Sequence, residues 1–340
     1  MTDLLATYVH NLDPVLLPIS EKFGIRWYGF MYILGFICGF FILQWFVKIR
    51  ACELRKNEVA DFITLCALLG VMIGGRIGWM LLHNRDESLS NPLVFFNFLE
   101  GGMASHGGIL GVTIFAFVYS RIKKISWRGL GDNLVVVSTL GVFFGRIGNF
   151  INGELYGRIS NPPHKWAMKF PNELHEDKSG IPYSSVRELV ETQGTKAPQL
   201  KAAVDQLDAA GQLSHRGLFD LVIAESRTND AFREALGGIL NFRHPSQLYQ
   251  AAAEGLGLCL ILLALRLAFK NAYHGLITGA FFILYPIARI SVENVREPDS
   301  SLIMGITKGQ FYSLFMFAIG AAFIASAFVK KRQNQIPDPA

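Results

Sequence analysis

The stretch Asn133-Leu-Val-Val-Val-Ser-Thr-Leu-Gly-Val-Phe-Phe-Gly-Arg-Ile-Gly-Asn-Phe-Ile151 decides the fold. It is apolar over almost its whole length, and as a helix rising about 1.5 Å per residue it would cross most of a bilayer core of roughly 30 Å. One charged side chain, that of Arg146, interrupts it. The stretch therefore predicts a membrane-spanning helix that carries a cation inside the hydrophobic layer.

Seven stretches of this kind are predicted along the 340 residues. They lie at 27–47, 62–82, 101–120, 133–151, 246–269, 274–294 and 309–329. The third is the weakest, because the segment from Gly101 to Gly108 is rich in glycine. Charged residues make up 17% of the chain, below the quarter or so that is usual in soluble domains. The sequence thus predicts an all-α polytopic membrane protein. Its first span is expected to stay in the mature chain, since residues 1–23 lack the features of a signal peptide.

The basic residues of the short loops predict the orientation. With seven spans the termini lie on opposite sides, and alternate loops collect thirteen Lys and Arg on one side against five on the other. By the positive-inside rule the N-terminus is predicted outside and the C-terminus in the cytoplasm. The predicted regions are spans one to four (1–151), an extracytoplasmic head segment with helix-like stretches at 185–192 and 199–210 (152–245), spans five to seven (246–329) and a cytoplasmic tail (330–340).

The four cysteines, Cys38, Cys52, Cys66 and Cys259, lie in spans or beside one. Their positions predict neither a disulfide framework nor a zinc site. No metal cluster and no nucleotide-binding loop is found in the sequence, so no cofactor is expected. The net charge of +5 is assigned to the loops rather than to nucleic-acid binding, because no basic stripe with interleaved aromatic residues occurs.

Three arginines lie five or more residues inside predicted spans: Arg76, Arg146 and Arg289. Arg266, three residues before the end of the fifth span, is counted with the basic residues of the adjoining loop. The spans of the three arginines run in the same direction, and each of the three comes five to seven residues before the outer end. All three guanidinium groups are therefore expected at one depth, about 8–10 Å inside the outer boundary. Snorkelling or a structural ion pair is one explanation for such residues. Binding of a lipid phosphate is the other, because the planar guanidinium fork suits phosphate oxygens.

The neighbours of the arginines differ. Glycines flank two of them, in Gly74-Gly75-Arg76-Ile77-Gly78 and Gly145-Arg146-Ile147-Gly148. We interpret these glycines as sites of close helix packing rather than as a phosphate cradle. Glu293 follows Arg289 by one helical turn, so that this pair is either a buried salt bridge or part of a substrate site.

Polar residues at the same predicted level add candidates. His106, in Glu100-Gly-Gly-Met-Ala-Ser-His-Gly-Gly108, is either a general base or a hydrogen-bonded structural residue. The cluster Asn149-Phe-Ile-Asn-Gly-Glu-Leu-Tyr-Gly-Arg158 is denser than helix capping requires. His244-Pro-Ser-Gln-Leu-Tyr249 is predicted to be a helix N-terminal cap. Tyr28 is predicted to be an interfacial anchor, and Tyr285 lies one turn before Arg289.

Together these motifs resemble the bacterial prolipoprotein diacylglyceryl transferase family. The most specific match is the segment from Gly145 to Arg158. Supporting matches occur in family order along nearly the whole chain: Arg26-Trp-Tyr28-Gly, Glu100 to Gly108, His244 to Tyr249, and Arg289 to Glu293 with Arg296-Glu-Pro-Asp299.

The resemblance implies an enzyme that moves the diacylglyceryl group of phosphatidylglycerol to the lipobox cysteine thiol of a prolipoprotein and releases glycerol phosphate. It implies a bacterial cytoplasmic (inner) membrane protein with its active site toward the outer face. The partners are phosphatidylglycerol and prolipoprotein signal peptides, and nucleic acid is not expected. The implied catalytic residues are His106, Arg146, Arg289, Glu154 and Tyr28. The implied substrate-binding residues are Arg146, Asn149, Gly157, Tyr285, Arg289 and Glu293, with Arg76 as a supporting charge.

A second function remains open from the residues alone. An organic-anion or phosphate transporter could use the same three arginines as its binding site. Transporters place such sites near the midplane and often contain inverted repeats, whereas these arginines are predicted toward one face. A purely structural membrane protein would have no need for charge at this level.

Overall fold

The computed structural model describes residues 8–19, 24–97, 101–297 and 305–331. The chain is mostly helical, and the α-helices are α1 Trp27–Lys48, α2 Glu58–Leu65, α3 Gly74–Leu82, α4 Arg85–Ser90, α5 Ser105–Lys123, α6 Trp127–Asn152, α7 Tyr183–Thr192, α8 Pro198–Ala209, α9 His215–Thr228, α10 Asp230–Gly237, α11 Ser246–Gln250, α12 Leu258–Ala268, α13 Leu276–Glu293 and α14 Lys308–Lys330. The π-helical stretches Cys66–Ile73 and Ala251–Gly257 join α2 to α3 and α11 to α12. Glu100, Asp299 and the tail residues 332–340 lie outside the described residues.

A short two-stranded sheet precedes the first membrane helix, and no strand was predicted from the sequence. Strands β1 (Val15–Pro18) and β2 (Gly24–Arg26) form an antiparallel pair ahead of α1. Strands this short contain too few residues for an alternation of apolar and polar side chains to be recognised in the sequence.

Within the described residues, six helical stretches are long and apolar enough to cross a membrane. They are Trp27–Lys48, Glu58–Leu82, Trp127–Asn152, Ser246–Ala268, Leu276–Glu293 and Gly309–Lys330. These six correspond to predicted spans one, two, four, five, six and seven. The predicted third span forms helix α5, which is less apolar because it contains three glycines and ends in Arg121 and Lys123. The protein is therefore a polytopic helical membrane protein.

The chain folds into two compact units. The first unit comprises the described parts of Met1–Tyr32, Phe143–Ala253 and Arg289–Phe311, and the second those of Ile33–Val142, Glu254–Ala288 and Tyr312–Ala340. The core of the second unit is built from buried aliphatic and aromatic residues of the membrane helices, such as Leu43, Phe62, Val136 and Leu262. Helix α6 supplies residues to both units.

A buried polar network fixes helix ends within the second unit. The Asp132 carboxylate accepts hydrogen bonds from the backbone N–H groups of Gly275 and Thr278, at 2.7 and 2.8 Å, and from the Thr278 hydroxyl at 2.8 Å. Arg266, also buried, donates to the Asn133 side chain at 3.1 Å. The first turn of a helix leaves N–H groups without intrahelical partners. Asp132 satisfies such groups of α13 from a neighbouring helix and so holds α13 in place.

The first unit contains a small helical core formed by α7 to α10. Its buried residues include Val186 on α7 with Leu218 and Val222 on α9. Ser214 and Asn229 accept hydrogen bonds from backbone N–H groups in the first turns of α9 and α10, which is the usual role of an N-cap. The helices predicted at 185–192 and 199–210 are confirmed as α7 and α8.

His10 anchors the N-terminal segment to this unit. Its buried ring stacks on Phe170, with centroids 5.5 Å apart, and meets the edge of Phe150 at 5.4 Å. Burial lowers the pKa of His10 to about 4, from an ordinary value of 6.5, against a hydrogen bond with the Phe150 backbone that raises it. The folded protein therefore holds His10 neutral at neutral pH.

This depressed pKa predicts an acid-sensitive stability. The unfolded chain binds the His10 proton below pH 6.5, whereas the folded protein resists it until about pH 4. The contribution is fully present above pH 6.5 and is lost as the pH falls, by roughly 2 kcal/mol at pH 5. In His10→Phe, which keeps an aromatic ring at this position, the drop in melting temperature between pH 7.5 and pH 5 should be smaller than in wild type. Equal drops in the two proteins would contradict this account.

Candidate functional site

The C-terminal end of α6 and the turn after it carry four linked polar side chains. Arg146, which is half-buried, donates through Nη1 to Asn149 Oδ1 at 3.4 Å. Asn149 Nδ2 donates to Glu154 Oε1 at 2.9 Å, and Asn152 Nδ2 donates to the same oxygen at 3.1 Å. Arg146 forms no ion pair within the described residues. Its guanidinium is thus steered by one long hydrogen bond and keeps most of its donors available for a ligand.

A tight turn sets the position of Glu154. Gly153 and Leu155 both have positive φ, at 67° and 57°, and this turn ends α6. Its carbonyls are bound from a distant part of the chain, because Gln247 Nε2 donates to the Glu154 carbonyl at 2.7 Å and Ser246 Oγ donates to the Leu155 carbonyl at 2.9 Å. A helix does begin in the segment from His244 to Tyr249, with Pro245 immediately before its first residue, but no side chain caps it. This helix is α11, and its polar side chains hold the turn instead.

Gly157 lies in a short backbone link between three segments of the first unit. Its N–H donates to the His244 carbonyl at 2.7 Å, and the next residue, Arg158, donates its N–H to the Val295 carbonyl at 2.9 Å. The Arg158 side chain adds a bond of 2.9 Å to the Arg296 carbonyl. The chain leaving α6 is thereby hydrogen-bonded to the chain leaving α13. The link connects the ends of the two helices that carry Arg146 and Arg289.

A buried ion pair lies beneath this link. Arg243 Nε and Glu173 Oε2 are 2.5 Å apart, and both side chains are fully buried. The Arg243 guanidinium also lies over the Tyr156 ring, 5.0 Å from its centroid, and donates to the Gly157 carbonyl at 3.4 Å. Removing one partner from such a pair leaves an uncompensated buried charge. The pair therefore helps to keep the segment around Gly157 in place.

Arg289, the other arginine of the first unit that lies inside a predicted span, forms an ion pair on its own helix. Arg289 Nη2 lies 2.7 Å from Glu293 Oε2, and both side chains are largely buried. A Cβ atom added at Gly309 would lie 2.9 Å from Arg289 Nη2 and 3.0 Å from Glu293 Oε1. The start of α14 therefore approaches the ion pair closely. The salt bridge, which was one of the two interpretations of Arg289 and Glu293, is present in the structure.

Tyr28 lies against α6. A Cβ atom at Gly148 would be 2.9 Å from Tyr28 Cδ2, so that the glycine makes room for the tyrosine ring two residues after Arg146. The Tyr28 and Tyr32 hydroxyl groups are 3.2 Å apart. The predicted site residues Tyr28, Arg146, Asn149, Glu154, Gly157, Arg289 and Glu293 all belong to the first unit, whereas Tyr285 belongs to the second.

Arg76 belongs to the second unit and donates to backbone carbonyls. Its side chain is buried, with Nε bound to the Phe95 carbonyl at 3.1 Å and Nη1 to the Gly102 carbonyl at 3.0 Å. Further donors reach the carbonyls of Val94 and Gly101. Gly101 and Gly102 both have φ of 82°, a conformation that favours glycine. Arg76 therefore organises the segment that leads into α5.

His106 stands in the first turn of α5 and is exposed. Close contact between α3 and α5 begins at the next residue, Gly107. A Cβ atom on Gly74 would lie 2.7 Å from the Gly107 carbonyl oxygen, and one on Gly78 would lie 2.5 Å from Gly107 Cα. The prediction that these glycines allow close helix packing is confirmed for Gly74 and Gly78. At Gly145 an added Cβ would have no neighbour within 4 Å, so in the second motif only Gly148, which lies against Tyr28 of α1, marks a close contact.

Comparison with known proteins decides the family. The family model described as prolipoprotein diacylglyceryl transferase matches residues 14–326. The chain belongs to this family.

Relatives in the transferase family align over nearly the whole chain. A phosphatidylglycerol–prolipoprotein diacylglyceryl transferase of Bdellovibrio bacteriovorus is 37% identical over 325 residues, which is 92% of each chain. Proteins of the same name from Ralstonia pickettii and Burkholderia cenocepacia are 35% and 32% identical, over 94% and 95% of this chain. The resemblance inferred from the motifs is confirmed.

Several polar residues of this transferase were not predicted from its sequence, although some of them carry a signal there. Tyr32 follows Tyr28 by one helical turn, and that spacing alone could have indicated a shared face. Asn152 was one amide in a predicted cluster without an assigned partner. Glu254 is fully buried in the stretch Ser246–Ala268, and Oε2 of its carboxylate accepts a hydrogen bond of 3.5 Å from the Tyr285 hydroxyl. A carboxylate inside a predicted span is itself a signal of function.

Proposed function

We propose that this protein transfers the diacylglyceryl group of phosphatidylglycerol to the thiol of a prolipoprotein cysteine, with Arg146 and Arg289 at the lipid phosphate. The observation that carries the proposal is the arrangement around Arg146. A guanidinium near the end of an apolar helix is steered by Asn149 and, through it, by the Glu154 carboxylate. Such an arrangement orients the guanidinium from one side and leaves its planar fork to bind a phosphate.

The topology follows from the loop charges. We place seven spans in the membrane, counting α5 as the third, with the N-terminus outside, a head segment at 152–245 outside and a tail at 330–340 in the cytoplasm. The remaining regions, 1–151 and 246–329, contain the spans. This orientation puts the polar end of α6 at the outer face of a bacterial inner membrane. A signal peptide anchored in that membrane presents its lipobox cysteine at the same level.

The reaction exchanges one bond for another at a glyceryl carbon. The cysteine sulfur forms a bond to this carbon while the bond from the carbon to the phosphate oxygen breaks. The oxygen keeps the electron pair and leaves as glycerol phosphate, so that the phosphate charge grows from about −1 toward −2. Arginines that bind this phosphate stabilise the transition state more than the ground state, which raises the rate.

The other residues support these two arginines. Glu293 pairs with Arg289 and limits its orientations. We assign Asn149 and Tyr285 to the orientation of the lipid head group, Tyr28 to the wall beside Arg146, and Gly157 to the link that holds α6 to α13. Arg76 positions the segment before His106 rather than the lipid itself, since its donors bind backbone carbonyls.

His106 is the candidate base for the incoming thiol. The attacking sulfur belongs to the prolipoprotein, so the enzyme needs no nucleophile of its own. Within this scheme the imidazole accepts the thiol proton and later returns it to solvent. Histidine is the side chain most often used as a general acid or base, because a neutral imidazole nitrogen can accept a proton.

The transporter alternative is not favoured. The family match and the names of full-length relatives describe transferases. A transporter would also leave the lipid intact, which makes the two functions easy to separate by chemistry.

The test uses phosphatidylglycerol labelled in its acyl chains and two lipobox peptides that differ only in Cys or Ser. Purified wild-type protein should transfer label to the cysteine peptide and release one glycerol phosphate for each labelled peptide. The serine peptide should stay unlabelled, because its hydroxyl is a far weaker nucleophile than a thiolate. If label reaches neither peptide, or both equally, the proposed reaction is wrong.

A further inference from the structure

The last turn of α6 holds the Glu154 carboxylate by a single oxygen. Asn149 Nδ2 and Asn152 Nδ2 both donate to Oε1, at 2.9 and 3.1 Å. The two asparagines are three residues apart, so that their side chains are neighbours on the helix surface. Within the described part of the chain, Oε2 of Glu154 accepts no hydrogen bond. Two side-chain amides thus form a clamp on one carboxylate oxygen.

The head segment fixes the backbone that carries this clamp. Asn172 Nδ2 donates to the carbonyls of Asn152 and Gly153, at 2.9 and 3.1 Å. The last carbonyls of a helix have no intrahelical partners, and here a side chain from a later part of the chain supplies the donor. The end of α6, and with it the base of the Asn152 side chain, is therefore held in place.

Arg146 lies on the other side of the Asn149 amide. Its Nη1 is 3.4 Å from Asn149 Oδ1, whereas the Glu154 carboxylate lies at Asn149 Nδ2. Among the described residues, Arg146 and Glu154 form no ion pair with each other. A carboxylate is a favoured partner of a guanidinium, because its two oxygens match two parallel N–H donors. Opposite charges would draw Glu154 onto Arg146 if the clamp were absent.

We propose that Asn152 is a positioning residue that keeps Glu154 from pairing directly with Arg146, so that the guanidinium stays open for the lipid phosphate. The inference rests on the proposed function, in which Arg146 binds that phosphate. A direct pair with Glu154 would occupy the same parallel donors that a phosphate uses. Asn152 therefore acts on the lipid site through Glu154.

Asn152→Ala is expected to lower kcat/KM for label transfer roughly tenfold, the size of one hydrogen bond to a charged group. The loss should lie in KM, because phosphatidylglycerol must then displace a carboxylate from Arg146 before it binds. Glu154→Gln keeps the shape of the side chain and removes the competing charge. Asn152→Ala added to Glu154→Gln should therefore lower kcat/KM no further. A purely structural role would instead lower kcat and the melting temperature, and the two effects would multiply.

Asn152→Asp provides a pH-dependent test, because aspartate has the shape of asparagine but donates a hydrogen bond only when it is protonated. At pH 8 the two carboxylates repel each other, which drives Glu154 towards Arg146. At lower pH the pair shares one proton, since like charges raise the pKa of one member. The protonated carboxyl then donates in place of the amide. The ratio of kcat/KM to that of wild type should rise about tenfold as the pH falls from about 8 to about 5.5.

The other ionisable groups at this turn do not change charge over that range. His10, whose ring lies beside Gly153, stays neutral down to about pH 4. Tyr32 interacts electrostatically with Glu154, and a phenol is neutral at pH 8 and below. The control is Asn271→Asp, which adds the same charge at an exposed position between α12 and α13. Its ratio to wild type should not change with pH.

Two failures are distinguishable. If wild-type protein transfers no label from phosphatidylglycerol, the proposed function itself fails. If wild type transfers label but Asn152→Ala keeps the wild-type KM, or if Asn152→Asp shows no recovery at acid pH, Asn152 does not position Glu154 and the proposed function stands. The same conclusion follows if the effects of Asn152→Ala and Glu154→Gln multiply.

Discussion

Arg146→Lys is expected to lower kcat/KM for diacylglyceryl transfer by about 100-fold, and Arg146→Ala by about 1000-fold. Lysine keeps the positive charge but loses the planar fork. It cannot bind a phosphate through two parallel donors while a third donor remains on Asn149 Oδ1. Most of the loss should appear in kcat, because the phosphate charge grows during the reaction.

The matched control is Arg216→Ala, which removes an arginine from the exposed side of α9. This variant should retain wild-type rates and show that loss of a cation elsewhere is harmless. The measurement is the initial rate of label transfer over a range of phosphatidylglycerol concentrations in mixed micelles. If Arg146→Lys stays within threefold of wild type, a directional guanidinium is not required, and the phosphate lies elsewhere.

Gly157→Ala should cost about 100-fold in kcat/KM although it adds a single methyl group. The added Cβ would overlap the Val295 carbonyl oxygen and lie 2.8 Å from His244 Cβ. Backbone cannot rotate away as a flexible side chain can, so the link between the exits of α6 and α13 must open. A displacement of about 1 Å between groups that bind one phosphate is enough for a loss of this size.

Gly141→Ala provides the control for this second variant. Gly141 lies on α6, where an added Cβ would have no neighbour within 4 Å, and alanine favours helix by up to about 1 kcal/mol over glycine. This variant should be fully active and at least as stable as wild type. Full activity of Gly157→Ala would mean that the spacing of the two helix ends does not matter for catalysis.

The sequence predicts the membrane helices well because apolar length is a local property. Each of the six apolar stretches is visible without knowledge of its neighbours. The three arginines predicted inside spans, Arg76, Arg146 and Arg289, are visible for the same reason, since charge inside a span is rare. The segment from Gly145 to Arg158 also identified the family before any geometry was considered.

What the sequence could not supply are contacts between distant segments. The partners of Arg76 are carbonyl oxygens, which every residue has, so no pattern distinguishes them. The link at Gly157 joins segments that are about 90 and 140 positions away along the chain. The side chains of Ser246 and Gln247 bind backbone carbonyls in the turn after α6. Backbone acceptors leave no pattern in the sequence, so these two residues were interpreted only as part of a local helix cap.

The close contact of α3 with α5 bears on how the chain enters the membrane during synthesis. Helix α5 is the least apolar of the proposed spans and would partition weakly into lipid alone. Its glycines lie directly against the backbone of α3, so that van der Waals attraction between the two helices supplements its own hydropathy. In the proposed topology, α3 leaves the ribosome first and is already in the bilayer when α5 emerges. Insertion of the third span is therefore a cooperative event, in which the earlier helix acts as the template for the later one.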